Sequence, residues 1–109
     1  MKRKYIVVYT TFPNERTAKK IVDALVRSKH AACGSIFKLY SIYRWKGKLE
    51  RTPEYGAFIK TRASRYHSVE KYIKDNHPYD VPEIISWDIT LGQCEYLNWV
   101  YEVTDSAQK

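Results

Sequence analysis

The stretch "CGSIFKLYSIYRWKGKLERTPEYGAFIKTR", residues 33–62, decides the fold. From Cys33 to Arg44 it is rich in β-branched and aromatic residues, "WKGK" (Trp45 to Lys48) supplies a turn around Gly47, and Leu49 to Arg62 returns. This is the pattern of one long β-hairpin. Pro53 cannot donate to a strand ladder, so the returning arm lies at an edge or carries a bulge there. Each arm runs about 12 residues, roughly 40 Å at ~3.3 Å per residue. A helix of about 14 residues covers only ~21 Å, so the far half of the hairpin extends past anything the helices can cover. Phe37, Leu39, Tyr43 and Trp45 fall on one side of the first arm, and Ile36, Tyr40 and Ile42 on the other. An arm apolar on both faces has to be covered on both, which predicts a homo-oligomer formed through the hairpin and the sheet edges.

Outward from the hairpin, "KYIVVYTTF" (residues 4–12) is a near-continuous β-branched and aromatic run that predicts a central strand. Asn14 is placed to cap the following helix and Glu15 to sit at its positive end. Ala18, Ile21, Val22 and Leu25 recur at helical spacing on its inner face. After the hairpin, Ser64 is expected to cap a second helix with Tyr66, Val69, Tyr72 and Ile73 as its stripe and Glu70–Lys74 as an i,i+4 pair. "DNHPYDVPEI" (residues 75–84) then makes a corner that Pro78 and Pro82 stiffen. The short strand "EIISWDIT" follows, and a last helix carries Leu97, Val100 and Tyr101. The order β-α-β-β-α-β with an extra C-terminal helix predicts an α+β, ferredoxin-like sandwich: an antiparallel sheet with helices on one face. All 109 residues read as one domain.

Composition narrows the function classes. No stretch approaches the ~20 apolar residues of a membrane span. The basic start before "YIVVY" is followed by too short an apolar run for a signal peptide, so a cytoplasmic protein is expected. Cys33 and Cys94 are too far apart for a zinc-type pair and are expected as buried small hydrophobes. The net charge of +7 favours anionic partners, but the basic residues are dispersed. Ten Tyr in a small chain leave rings for an interface.

Three chemistries compete. An RNA-recognition module shares this topology, and "PEYGAFIKT" is similar to its third-strand motif. Aligning Phe58-Ile59 with the motif's Phe-Val, however, puts Gly56 and Thr61 where rings belong, so nucleic acid is not an expected partner. A nucleophilic reading would use Cys33 with His30 as base. A metal reading would draw on Asp80 and Glu83 for a hard cation, or on His77 for a softer one. The bland alternative for the corner is mechanical stiffening alone.

Four separated motifs then occur in order: "VVYTTFPNERTAKKIVDALV", "IYRWKGKLE", "FIKT" and "HPYDVPEI", with "AAC" and "YLNW" beside them. Through them the chain resembles the CutA family, the divalent-cation tolerance proteins, over nearly its whole length. The resemblance implies a compact cytoplasmic homotrimer, akin in architecture to PII signalling trimers, with no catalytic activity and no required cofactor. It implies a link to tolerance of divalent metals such as copper. It also implies inter-subunit clefts able to take a metal or small effector, with Trp45, Glu50, Lys60, His77, Tyr79 and Glu83 lining them. There Lys60 would face an anion, or pair with Glu83 or Glu50 in a purely structural trimer that docks onto a partner. Members proposed to bind copper look like they use a Cys ending the first strand and a His-His pair before Pro-Tyr. Here those positions hold Tyr9 and Asn76-His77, leaving His77 as the one metal-ligand candidate carried over.

Overall fold

The computed structural model describes residues 2–105. Met1 and residues 106–109, which the single-domain expectation includes, lie outside the described residues. The elements are β1 (Tyr5–Phe12), α1 (Glu15–Arg27), β2 (Cys33–Trp45), β3 (Lys48–Arg62), a single 3-10 turn (Ala63–Arg65), α2 (Tyr66–Asn76), β4 (Ile84–Asp88) and α3 (Cys94–Val103). The four strands form one antiparallel sheet in the order β2-β3-β1-β4, which is the ferredoxin-like arrangement.

Strand alternation divides the side chains between two faces. Ile6, Val8 and Phe12 of β1 and Ala57 and Ile59 of β3 point to the helices, where they meet Ala18, Ile21, Val22 and Leu25 of α1 and Val69 and Ile73 of α2. The α1 stripe is the one its spacing predicts, and Asn14 Oδ1 accepts the Thr17 N–H at 2.8 Å as its cap. Gly34 lets α1 approach β2 closely, since a Cβ there would stand 2.5 Å from Val22 Cγ1.

The hairpin turns on Lys46 and Gly47 with Trp45 paired to Lys48. Both central residues have positive φ, +51° and +80°, the backbone of a two-residue type I′ turn. β1 pairs with β3 only as far as Tyr55. Pro53 therefore sits where β3 has β2 on one side and, among the described residues, no strand paired on the other, the edge-like setting its missing N–H requires. Beyond that point the hairpin projects: the protomer measures 46 × 28 × 21 Å. Tyr40 and Ile42 are each 62 % exposed.

Two local expectations are corrected. Ser64 does not cap α2; it lies inside the 3-10 turn, and Arg65 precedes the helix with no side-chain cap. The expected Glu70–Lys74 pair gives way because Glu70 accepts the Tyr66 hydroxyl at 3.2 Å, while Lys71 and Asp75 form the i,i+4 pair at 2.8 Å.

The last helix lies against one end of the other sheet face. Val100 is buried with Tyr5 and Ala32, and Leu97 and Tyr101 pack beside them. Arg62 anchors its end, donating to the Tyr101 carbonyl at 2.6 Å and to Thr104 Oγ1 at 2.8 Å, while Arg65 donates to the Thr104 carbonyl. A cation on the last carbonyls is favoured by the helix dipole. Arg3 and Arg62 also approach the Tyr101 ring, at 3.6 and 3.7 Å from its centroid.

Candidate functional site

Pro78 ends α2, because it pushes the preceding residue out of helical backbone. His77 is accordingly extended, at φ −84° and ψ 139°. Its ring stacks on Phe12 at 5.2 Å between centroids, with the Tyr79 ring 4.8 Å away. The Tyr79 backbone N–H donates to Nδ1 at 3.1 Å, and Nε2 lies 2.7 Å from the Thr11 carbonyl. Since a carbonyl only accepts, the imidazole is the neutral tautomer protonated at Nε2. Burial lowers its pKa below 6.5, against the Thr11 carbonyl and the Glu54 charge, which raise it.

The corner then folds Tyr79 over the hairpin. Its hydroxyl donates to Glu54 Oε2 at 2.7 Å, and Glu54 is only 5 % exposed. Burial, followed by the hydrogen bond to Glu54 and that residue's charge, holds the Tyr79 hydroxyl well above the ordinary tyrosine pKa. Tyr9, on the neighbouring strand, is raised by burial and by the charges of Glu83 and Glu54. Between corner and hairpin opens a cavity of about 550 Å³ walled by Tyr43, Trp45 and Tyr79 and edged by Glu54, Asp80 and Glu83. Thr11, Ser41, Ile42 and Val81 complete its lining. That volume suits a small organic molecule.

Of the six residues expected to share a cleft, Trp45, Tyr79 and Glu83 line this cavity and His77 braces it from behind. Glu50 sits opposite Tyr43 in the hairpin ladder, outside the lining. Lys60 is elsewhere in the protomer, six residues along β3 from Glu54, or ~20 Å at strand rise. Its ammonium stands 5.7 Å from the Tyr96 ring, whose hydroxyl is 3.4 Å from Cys33 Sγ. Neither the Lys60–Glu83 nor the Lys60–Glu50 ion pair forms among the described residues of the protomer. The sequence reading missed Glu54. Its only sequence signal was an acidic residue within a strand, directly after Pro53.

The other chemistries find weaker geometry. Cys33 has Tyr96 as its hydrogen-bond partner, and His30 Nδ1 is buried with no partner, so the imagined thiol–imidazole pair is not engaged. Cys33 is half-buried and Cys94 exposed at the first turn of α3, which corrects the expectation that both are core residues. Both nitrogens of His77 are already engaged, and no group of three or more His, Cys, Asp or Glu side chains among the described residues could hold a metal ion. The residues present at His77 therefore do not fit a copper ion.

The face of the sheet away from α1 and α2 carries a second feature. Tyr9, Phe37, Phe58 and Trp87 form one aromatic cluster there, with centroid separations from 4.8 to 6.4 Å. Phe58 is 39 % and Trp87 45 % exposed. No helix among the described residues is long and apolar enough to cross a membrane.

The family model described as "CutA1 divalent ion tolerance protein" matches residues 6–103. The divalent-cation tolerance protein CutA of Pyrococcus horikoshii is 40 % identical over 99 residues, covering 91 % of this chain and 97 % of that protein. Its crystal structure superposes with a TM-score of 0.89 over 93 % of this chain and 99 % of its own. The chloroplastic CutA of Arabidopsis thaliana is 41 % identical over 100 residues; the match spans 91 % of this chain but 55 % of that longer protein. A structure described as the periplasmic divalent cation tolerance protein CutA of Archaeoglobus fulgidus is 33 % identical, with a TM-score of 0.89 over 95 % of this chain and all of its own.

Proposed function

The chain belongs to the CutA1 divalent ion tolerance family, and from that premise we propose that it works as a cytoplasmic, non-catalytic homotrimer of PII-like architecture. In this reading it serves tolerance of divalent cations such as copper by binding a small effector in clefts between subunits. The observation that carries the reading is the uncovered sheet face. Tyr9, Phe37, Phe58 and Trp87 lie together beside a hairpin that is apolar on both sides. A contiguous exposed aromatic surface of this kind marks an interface. Closing three copies around it would bury the cluster, and in this reading Glu50 and Lys60, which lie away from the corner within the protomer, belong to clefts completed by a neighbouring subunit. Copper enters this reading through the response and not through His77, whose ring nitrogens are both used within the protomer.

Sedimentation equilibrium at micromolar concentration tests the assembly, with three chain masses expected and one chain mass overturning it. Titration calorimetry with Cu(II) and Zn(II) tests the metal. Binding weaker than micromolar is expected, and submicromolar binding abolished in His77→Ala would restore the imidazole as a ligand.

One observation favours a second reading. Tyr9 and Phe58 sit 5.7 Å apart on the two central strands of the face away from α1 and α2, the place where RNA-recognition modules stack bases, with Lys60 nearby on β3. Filter binding of single-stranded RNA that falls steeply with salt would support it. A trimer uses that same face, so the two readings exclude each other.

A further inference from the structure

The cavity between corner and hairpin has a charge that runs against the molecule. The chain carries 19 Lys and Arg against 12 Asp and Glu. The lining of this cavity nevertheless contains Glu54, Asp80 and Glu83 and no basic residue. Its walls are the rings of Tyr43, Trp45 and Tyr79. Glu54 is fixed in place by the Tyr79 hydroxyl, and Tyr79 by the His77 ring, so one carboxylate and one ring are held rigid before anything binds. Burial raises the Tyr9 and Tyr79 hydroxyls above the ordinary tyrosine pKa, and the carboxylates add to it: the charges of Glu83 and Glu54 at Tyr9, and the hydrogen bond to Glu54 and its charge at Tyr79. An ammonium already stands near one wall, Lys46 Nζ at 5.8 Å from the Trp45 ring.

The geometry points to a ligand opposite in sign to the anion expected from Lys60: a small organic cation, an amine on an apolar or aromatic body. Its ammonium would be held by the carboxylates and against the aromatic faces. Aromatic rings attract an ammonium through their negative faces, and the attraction grows where water is excluded. A bare divalent ion is a poorer match, because no three of the described His, Cys, Asp or Glu side chains converge as a coordination set. An anion would meet like charge at Glu54, Asp80 and Glu83, with only the neutral Thr11, Ser41 and tyrosine hydroxyls to receive it. This assignment rests on the effector-binding reading of the corner. The lining residues all belong to one protomer, and because Ile42, Tyr43 and Trp45 also lie on the hairpin that assembly would cover, mass and ligand binding are read as separate quantities.

The test is calorimetric titration of the full chain with 2-phenylethylamine and with choline. 3-Phenylpropionate serves as the anionic control, and the mass of each sample is read by sedimentation. Saturable binding of at least one cation is expected, with none of the propionate and with weakening as salt rises. Trp45→Ala and the pair Asp80→Asn with Glu83→Gln should each raise Kd about tenfold, roughly 1.4 kcal/mol, and the carboxamide pair, which leaves the apolar hairpin intact, should do so at unchanged mass. These side chains lie at the cavity rim and outside the helix-facing core, so the variants are expected to fold. The inference is overturned if neither cation binds to correctly assembled protein, if the propionate binds as well as the amine, or if both variants bind like the parent. Cation binding by a chain that sediments as a monomer would keep this inference and remove the trimer.

Discussion

The two faces of one sheet have been given opposite treatments. On the helix side Val8, Phe12 and Ile59 are completely buried beneath α1 and α2. On the other, α3 covers only the end around Tyr5 and Ala32 and leaves the aromatic cluster from Tyr9 to Trp87 open. The strands are the same and their residues alternate between the faces, so the contrast comes from what the chain supplies as cover. One face makes the domain; the other is left for something outside it. The difference teaches that burial and aromatic content are separate signals, since the richer aromatic surface is the one the protomer does not cover.

The contrast breaks most visibly on the helix side. Phe12→Ala should cost about 3–5 kcal/mol, since it leaves a cavity under two helices and removes the ring that His77 stacks on. Urea unfolding is the measurement, and a cost below 1 kcal/mol would mean this face is not the stabilising one. Next comes the partial cover. Arg62→Ala should cost about 2 kcal/mol by freeing the Tyr101 carbonyl and the last turn of α3, as expected for hydrogen bonds with a charged donor. It should also speed amide exchange in α3 ahead of the rest of the chain.

Asn14→Ala should remove about 1 kcal/mol through the lost cap on Thr17 and leave the mass of the assembly alone. Phe58→Glu should do the reverse. Stability of the isolated protomer should move by less than about 1 kcal/mol, because the ring is partly exposed and lies outside the helix-facing core. Sedimentation should nevertheless shift toward a single chain. If Phe58→Glu unfolds the protomer outright, the open face is part of the core and the contrast is wrong.

How much of this was legible in the sequence depended on range. The α1 stripe, the Asn14 cap, the Gly47 turn and the arms of the hairpin were legible because each is set by neighbours within a few positions. The uncovered hairpin was legible from strand and helix rise alone. Ser64 as a cap failed locally, because a 3-10 turn took up the first residues after β3. The site failed at longer range. Glu54 becomes a site residue only when Tyr79, 25 positions later, folds over it, and no local pattern records that closure. Lys60 and Glu83 share a charge relation on paper, but strand geometry carries Lys60 toward Tyr96 and away from the corner.

His77 is where the two faces meet, and it supports the smallest and most exacting prediction. Its ring stacks on Phe12, a helix-side core residue, while its Nδ1 holds the Tyr79 backbone and through it the residue that reaches Glu54 on the open side. Burial lowers the folded-state pKa below 6.5, so between that lowered value and 6.5 the unfolded chain binds more protons than the folded one. Stability should therefore decline as pH falls through 6.5 and level off once the folded-state pKa is passed, with no contribution from this group above 6.5. The effect is small because the Thr11 carbonyl and the Glu54 charge oppose burial. Protonation would also point a new N–H at the Tyr79 N–H, two donors facing each other, so the corner should loosen before the core does. Melting temperatures of the parent and of His77→Gln between pH 7.5 and 5 make the comparison. A steeper fall in the parent places the coupling at His77; parallel curves would mean that corner and core are independent, and that Pro78 and Pro82 alone hold Tyr79 over the cavity.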